Sequence, residues 1–507
     1  MRGAIAAGHP LTAEAGARVL ADGGSAVDAC IAAAFMSWVT ESTVTGPGGG
    51  GFMLVHRARD RTSRLVDFFV TIPGLGLPEP AAGEMEEIDV GYVEASQIFR
   101  IGAASCAVPA APAGLEYVHR VYGTRPWQEL LAPAIELAGN GVELTRPQAH
   151  LHAVVDLILR HGEEGRAIYG PEGRRLVAGE VLVQRDLART LELLAEHGSR
   201  AVYGGEVARA IASHVRELGG SITLRDLEEY RVIRRRAVRA AFCGFEFESN
   251  PPPSTGGVLI GYGLRMVDRL GPGGAPGSAE AIARLVEIMR EQNRVRGARF
   301  GRDLHRGGLT QRLYGDQQLA DAVERIGGTT QISVVDAEGN AASCTASTGS
   351  GSGVVVPGTG IHLNNMLGEF DLAASAGTGR PGTRMTSMMA PSIVLRDGDP
   401  RLVVGSAGSV RLRGAILQIV IDVAVQGMSV EEAIDFPRVH LQDGDVHCEG
   451  GADAAELDRL EAMGYNVVRW RRRNLYFGGG AAVEIGLDGS LAAAGDPRRG
   501  GAGVVVA

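Results

Sequence analysis

A chain of 507 residues, 45% hydrophobic and 21% charged, can bury a full core in one large domain or two, which excludes a disordered or fibrous protein. A formal charge of −9, with basic runs only at Arg234–Arg239 and Arg469–Arg473, excludes nucleic acid as an expected partner. No apolar run reaches transmembrane length, and five scattered cysteines show neither metal-ligand spacing nor a disulfide framework, so no membrane, no metal and a reducing compartment are expected.

Met1-Arg2-Gly3 leads into Ala4-Ile5-Ala6-Ala7, too short for the apolar region of a secretory leader, and the expected location is the cytoplasm. Apolar residues at Ala15, Val19 and Leu20, then Val27, Cys30, Ile31 and Ala34, predict helix from Thr12 to Val39, broken at Gly23-Gly24. The tract Thr45–Gly51 precedes a predicted strand, Phe52–Val55, and a second runs through Leu65–Phe69. Gly46-x-Gly48-x-x-Gly51 has the letters of a dinucleotide fingerprint, but it follows a helix and precedes a strand, the reverse of the order that chemistry needs. Pro109 to Leu319 reads as mainly helical, punctuated by Asn250-Pro251-Pro252-Pro253-Ser254-Thr255-Gly256-Gly257. The character then changes. Ile332–Val335 and Ala341–Thr345 flank Asp336-Ala-Glu-Gly-Asn340, and Ser392–Leu395 and Leu402–Val404 flank Asp397-Gly-Asp399, two hairpins. A long apolar helix follows from Gly414 to Val425. Strands beside helices in both halves predict two sheets in one layered α/β body.

The chemistry points to Gly327-Gly328-Thr329-Thr330, where a flexible pair runs into a threonine that opens a strand. A threonine freed at a new N-terminus carries its own base, because an α-amine titrates at about 8, near working pH. Glycine at 328 lets the chain bend so that the Thr329 hydroxyl reaches the preceding carbonyl. The alternative for these four residues alone is an ordinary loop-to-strand junction.

Seven blocks, each weak alone, then occur in order along nearly the whole chain. They are Gly23–Ala29; Gly48–Leu54; Tyr122–Pro126 with Leu131–Ile135; Pro251–Gly257; Thr329–Asp336; Leu363-Asn364-Asn365; and Asp496-Pro497-Arg498. In this order the chain resembles the γ-glutamyltranspeptidases, a family of N-terminal-nucleophile hydrolases. The resemblance implies a four-layer αββα sandwich and self-cleavage between Gly328 and Thr329. The products would be interlocked subunits, 1–328 (mostly helical outer layers plus strands) and 329–507, with Thr329 as nucleophile. It also implies that Ser347 hydrogen-bonds the nucleophile and that Gly408 and Ser409 supply backbone N–H groups to the oxyanion. Ser387 keeps the first of two substrate-carboxylate serines, while Met388 replaces the second. No cofactor is implied, and the partners are a small-molecule amide donor, such as a γ-glutamyl compound, with water or an amine as acceptor.

Three departures touch substrate recognition. The arginine expected to grip the α-carboxylate is Phe69; an expected asparagine is Gly349; and the amine-binding acid is Glu369 rather than aspartate, with Met366 in place of the amide three residues before it. Phenylalanine cannot imitate a bidentate fork, a loss on the order of 2–5 kcal/mol for a substrate with a free α-carboxylate. An amide hydrolase or acyl-cleaving biosynthetic enzyme on a non-glutamyl substrate is therefore the first alternative, and a silent binding or scaffolding relative the second. The short segment between Phe370 and Arg384 predicts that a covering lid is missing.

Overall fold

A computed structural model describes residues 2–79, 83–91, 96–295, 309–314, 329–369, 379–408 and 410–507. The Gly3–Ala7 segment, taken from sequence only as a non-leader, is a wholly buried strand in the interior of a sheet. That sheet has seven strands in the order Ala502–Val506, Gly3–Ala7, Thr330–Asp336, Ala341–Ser347, Gly50–Arg57, Thr62–Phe68, Ile233–Arg235. A second sheet of six strands runs Leu491–Gly495, Gly479–Ile485, Asp399–Ala407, Ser392–Arg396, Phe245–Ser249, Val238–Phe242. Every pairing within these two sheets is antiparallel.

The period of two along each strand sorts its side chains between layers. Ile5, Ala7, Met53, Val55, Ile332 and Val334 face the helices Pro10–Ala21 and Ala26–Thr40. Their neighbours Ala4, Ala6, Phe52, Leu54 and Val335 meet Ile393, Leu395, Val403 and Val483 of the second sheet. The other face of that sheet, Val394, Leu402 and Val404, packs on the helices Gly256–Leu270, Ala279–Val295 and Val410–Val420. Three apolar interfaces thus separate four layers, helix on sheet on sheet on helix, as expected of an αββα sandwich.

The helix predicted over Thr12–Val39 is two helices, Pro10–Ala21 and Ala26–Thr40, parted at the glycine pair as expected. Ser25 and Asp28 close a capping box at the start of the second. The apolar helix expected from Gly414 starts at Val410 and passes at Ile421–Val425 into a π-helical turn. The glycine tract before Gly50–Arg57 is there for packing. A Cβ at Gly48 would collide with the His362 carbonyl, and one at Gly49 with that of Ser347. The basic runs are charge-compensated: Arg235 pairs with buried Asp67 at 2.7 Å, and Arg469 with Asp458 at 2.7 Å. All five cysteines are free thiols. No described helix is long and apolar enough to cross a membrane.

Candidate active site

Thr329 stands directly before the Thr330–Asp336 strand and is buried. Its carbonyl accepts a hydrogen bond from Arg499 Nη1 at 3.2 Å. The next residue is held as firmly: the Thr330 hydroxyl donates to Glu41 Oε2 at 2.6 Å, and Thr12 Oγ1 donates to Glu41 Oε1 at 3.2 Å. Glu41 caps the end of the Ala26–Thr40 helix and is buried itself. Gly8 lies so close that a Cβ there would strike the Glu41 carboxyl.

Burial pushes the Glu41 carboxyl up to about 7, against the hydrogen bonds from Thr330 and Thr12 and the nearby Arg499 charge. A raised carboxyl pKa favours the folded state most below the unfolded value. That contribution is lost as pH rises from about 4.5 through 7, on the order of 3 kcal/mol in all. Glu41→Gln cannot ionise, so its stability relative to the native protein should rise between pH 5 and pH 8. Thermal melts across that range check the sign, and parallel curves would refute it.

Arg499 belongs to a turn, Pro497–Arg499, capped by Asp496. Asp496 is 1% exposed and pairs with Arg438 at 2.5 Å and with Arg498 at 3.2 Å. Arg498 in turn pairs with Glu449 at 2.5 Å. This buried group of two acids and two arginines fixes the turn from which Arg499 reaches Thr329. Gly408, at the end of the Asp399–Ala407 strand, has φ of +118°, and a Cβ there would lie 2.8 Å from the Gly478 Cα and 4.0 Å from Arg499 Nη2. Glycine is needed here for both backbone angle and space. Ser409, like Gly328, lies outside the described residues.

Ser347 ends the Ala341–Ser347 strand, paired with Gly50 on one side, and its neighbour Ala346 pairs with Thr330 on the other. Its Oγ accepts the Gly349 N–H at 2.7 Å. Gly349 has φ of +73°, and a Cβ on it would sit 2.8 Å from Glu369 Oε1 and collide with Asn365 Oδ1. The missing asparagine side chain and the longer acid are therefore coupled: Glu369 extends into space that a side chain at 349 would need. Asn364 anchors this loop, donating to the Gly48 and Ala107 carbonyls at 2.8 and 2.9 Å. The residues following Glu369, 370–378, where the lid was expected to be short, lie outside the described residues.

The remaining predicted contacts are scattered into the core. Phe69 stacks on Phe52 with centroids 5.3 Å apart and shares the inter-sheet cluster with Met366. Met388 packs in the second sheet's helical interface, and the Ser387 carbonyl accepts from the Thr255 N–H at 2.8 Å. Sequence reasoning missed Glu41 and Arg499. Their signals were present: one acid directly after a long apolar helix, and an arginine beside Asp496-Pro497-Arg498.

The sequence profile described as Gamma-glutamyltranspeptidase matches residues 12–506. The "Glutathione hydrolase proenzyme" of Escherichia coli is 30% identical over 98% of this chain and 90% of its own length. The "Acylase ACY 1 proenzyme" of a Pseudomonas species is 31% identical over 100% of this chain and 94% of its own. The solved structure of cephalosporin acylase from Bacillus halodurans shares the fold, with a TM-score of 0.81 at 24% identity over 99% of this chain and 95% of that one. A profile match over nearly the whole length, on a four-layer sandwich that buries a threonine at the head of a central strand, makes this chain a member of the gamma-glutamyltranspeptidase family of enzymes.

Proposed function

We propose that the chain cleaves itself between Gly328 and Thr329, giving subunits 1–328 and 329–507, and that the new N-terminal Thr329 transfers or hydrolyses a γ-glutamyl or related acyl group. The Thr329 hydroxyl proton passes to its own α-amine as the oxygen attacks the donor's amide carbonyl. Backbone N–H groups of Gly408 and Ser409 stabilise the oxyanion, and the α-ammonium returns the proton to the departing amine. The Thr329 ester is then released to water or to an amine acceptor. Ser347 orients the hydroxyl, and Glu369 attracts the donor's ammonium. Ser387 is assigned to the donor's carboxylate, and Phe69, Met366 and Met388, taken up in the core, offer it no charge.

The observation that carries this reading is the pair of contacts that fix the chain immediately after the scissile position. Arg499 holds the Thr329 carbonyl while Glu41 holds the Thr330 hydroxyl. The proenzyme names of the full-length relatives support the cleavage step.

Hydrolysis of γ-glutamyl-p-nitroanilide tests the donor. Turnover is expected, with Glu369→Gln raising KM about tenfold at little cost in kcat, the mark of lost uniform binding. An unchanged KM would remove Glu369 from that role. A second reading, an acylase for amides without a glutamyl head group, is favoured by apolar Phe69 and by the acylase relative. It prevails if a simple acyl p-nitroanilide is the faster substrate.

A further inference from the structure

A cavity of about 440 Å³ lies among the Gly256–Leu270 and Ala279–Val295 helices, the π-helical turn Ile421–Val425 and the segment 436–439. It contains none of the residues assigned above to donor chemistry. Its walls are chiefly apolar, with Val267, Ile282, Leu285, Ile288, Ile421 and Phe436 among them. The volume falls in the range of small-molecule sites, about 300–1,000 Å³.

One polar group in this wall is out of keeping with the rest. Asp422, only 4% exposed, lines the cavity from within the π-helical turn, and its Oδ2 has no hydrogen-bond partner. Single π-turns inside α-helices recur at functional positions because the widened turn re-aims a side chain. The carboxyl is partnered by the Gln418 side chain, whose Nε2 also donates to the Pro437 carbonyl at 2.9 Å. Burial pushes Asp422 up to about 7, opposed by Gln418 and by the charge of Arg438. Arg438 does not neutralise it, being ion-paired with Asp496 at 2.5 Å. Of the other charged residues in the lining, Glu456 is ion-paired with Arg459 at 2.8 Å, Asp453 caps the Ala454–Ala462 helix, and Arg284 is a base, so Asp422 is the acid left without a cation of its own. A buried carboxyl oxygen without a partner is costly, and a ligand donor that meets it recovers the loss.

We propose that this cavity is a binding site for a small amphiphilic amine, with its apolar body against the aliphatic walls and its ammonium on Asp422 Oδ2. A carboxylate ligand would be repelled by Asp422, and a purely apolar one would leave its oxygen unmet. Arg438 forms part of the wall and pairs with Asp496, which caps the turn carrying Arg499, so an occupant would touch the group that positions Thr329.

Isothermal titration of the full protein at pH 8 tests this with three probes that differ only in head group: 4-phenylbutylamine, 4-phenylbutanol and 4-phenylbutyrate. The amine is expected to bind best. Asp422→Asn, which keeps the shape of the side chain, should weaken the amine at least tenfold and leave the alcohol within twofold. Ile282→Trp, which fills the cavity, should abolish binding of both, with circular dichroism and thermal melts reporting that each variant is folded. Equal amine affinity in folded Asp422→Asn would overturn the proposal. So would unaltered binding in folded Ile282→Trp, failure of the native protein to bind the amine, or preference for 4-phenylbutyrate. None of these readouts depends on turnover at Thr329.

Discussion

Thr329→Ala is expected to yield one uncut chain on a denaturing gel and to lose at least ~10⁴-fold in activity, because the same oxygen is needed twice. In the proposed scheme it attacks the Gly328 carbonyl to open the chain, and the donor afterwards. Neither neighbour can take its place. The Thr330 hydroxyl is committed to Glu41 at 2.6 Å, and Thr330 is already paired with Ala346 in the sheet. Ser347 Oγ accepts from Gly349 N–H and ends a different strand. Thr329→Ser keeps the hydroxyl and should restore both the cut and part of the activity. Intact-mass measurement decides the matter: an alanine variant that still separates into two fragments would refute the scheme.

Asp496→Ala should be strongly destabilising, costing about 3–5 kcal/mol. Its carboxylate is almost fully buried, accepts from the Gly480 N–H at 2.8 Å and faces Arg438 and Arg498. Burial alone would raise its pKa, but the two guanidinium groups outweigh it and hold the carboxyl below the usual range. Its contribution is therefore present above the ordinary aspartate pKa and fades as pH falls below it. Removing the carboxylate leaves Arg438 buried without its ion-pair partner, hydrogen-bonded to the Ile434 and Phe477 carbonyls. It also uncaps the turn that aims Arg499 at Thr329. A shift in denaturant midpoint measures the first effect, and slower appearance of the two fragments measures the second. A variant as stable as the native protein would show that the buried charges relax without Asp496.

The hairpin that follows Thr329 was legible in the sequence because its signals are local. Ile332–Val335 and Ala341–Thr345 are short apolar runs, and Asp336 to Asn340 between them carries turn chemistry; the structure pairs them residue for residue. The break at Gly23-Gly24 was legible for the same reason. Gly3–Ala7 was not. Five small apolar residues have no amphipathic period, because a strand buried on both faces shows none. Glu41 and Arg499 escaped because their meaning is tertiary: 458 positions apart in the chain, they converge on Thr329 and Thr330 only after both sheets have formed. Phe69 was legible as a departure, yet its ring contributes to the packing between the sheets, which no reading of neighbouring residues could have told.

The strand order of the seven-stranded sheet has one more implication. Gly3–Ala7 is flanked by Ala502–Val506 on one side and Thr330–Asp336 on the other, so pieces severed at 328 would be woven through each other. They could part only by dismantling the sheet, and each alone would display unmet backbone edges prone to sticking. Co-refolding, rather than simple mixing of separated halves, is the route by which such a pair would regain its native form.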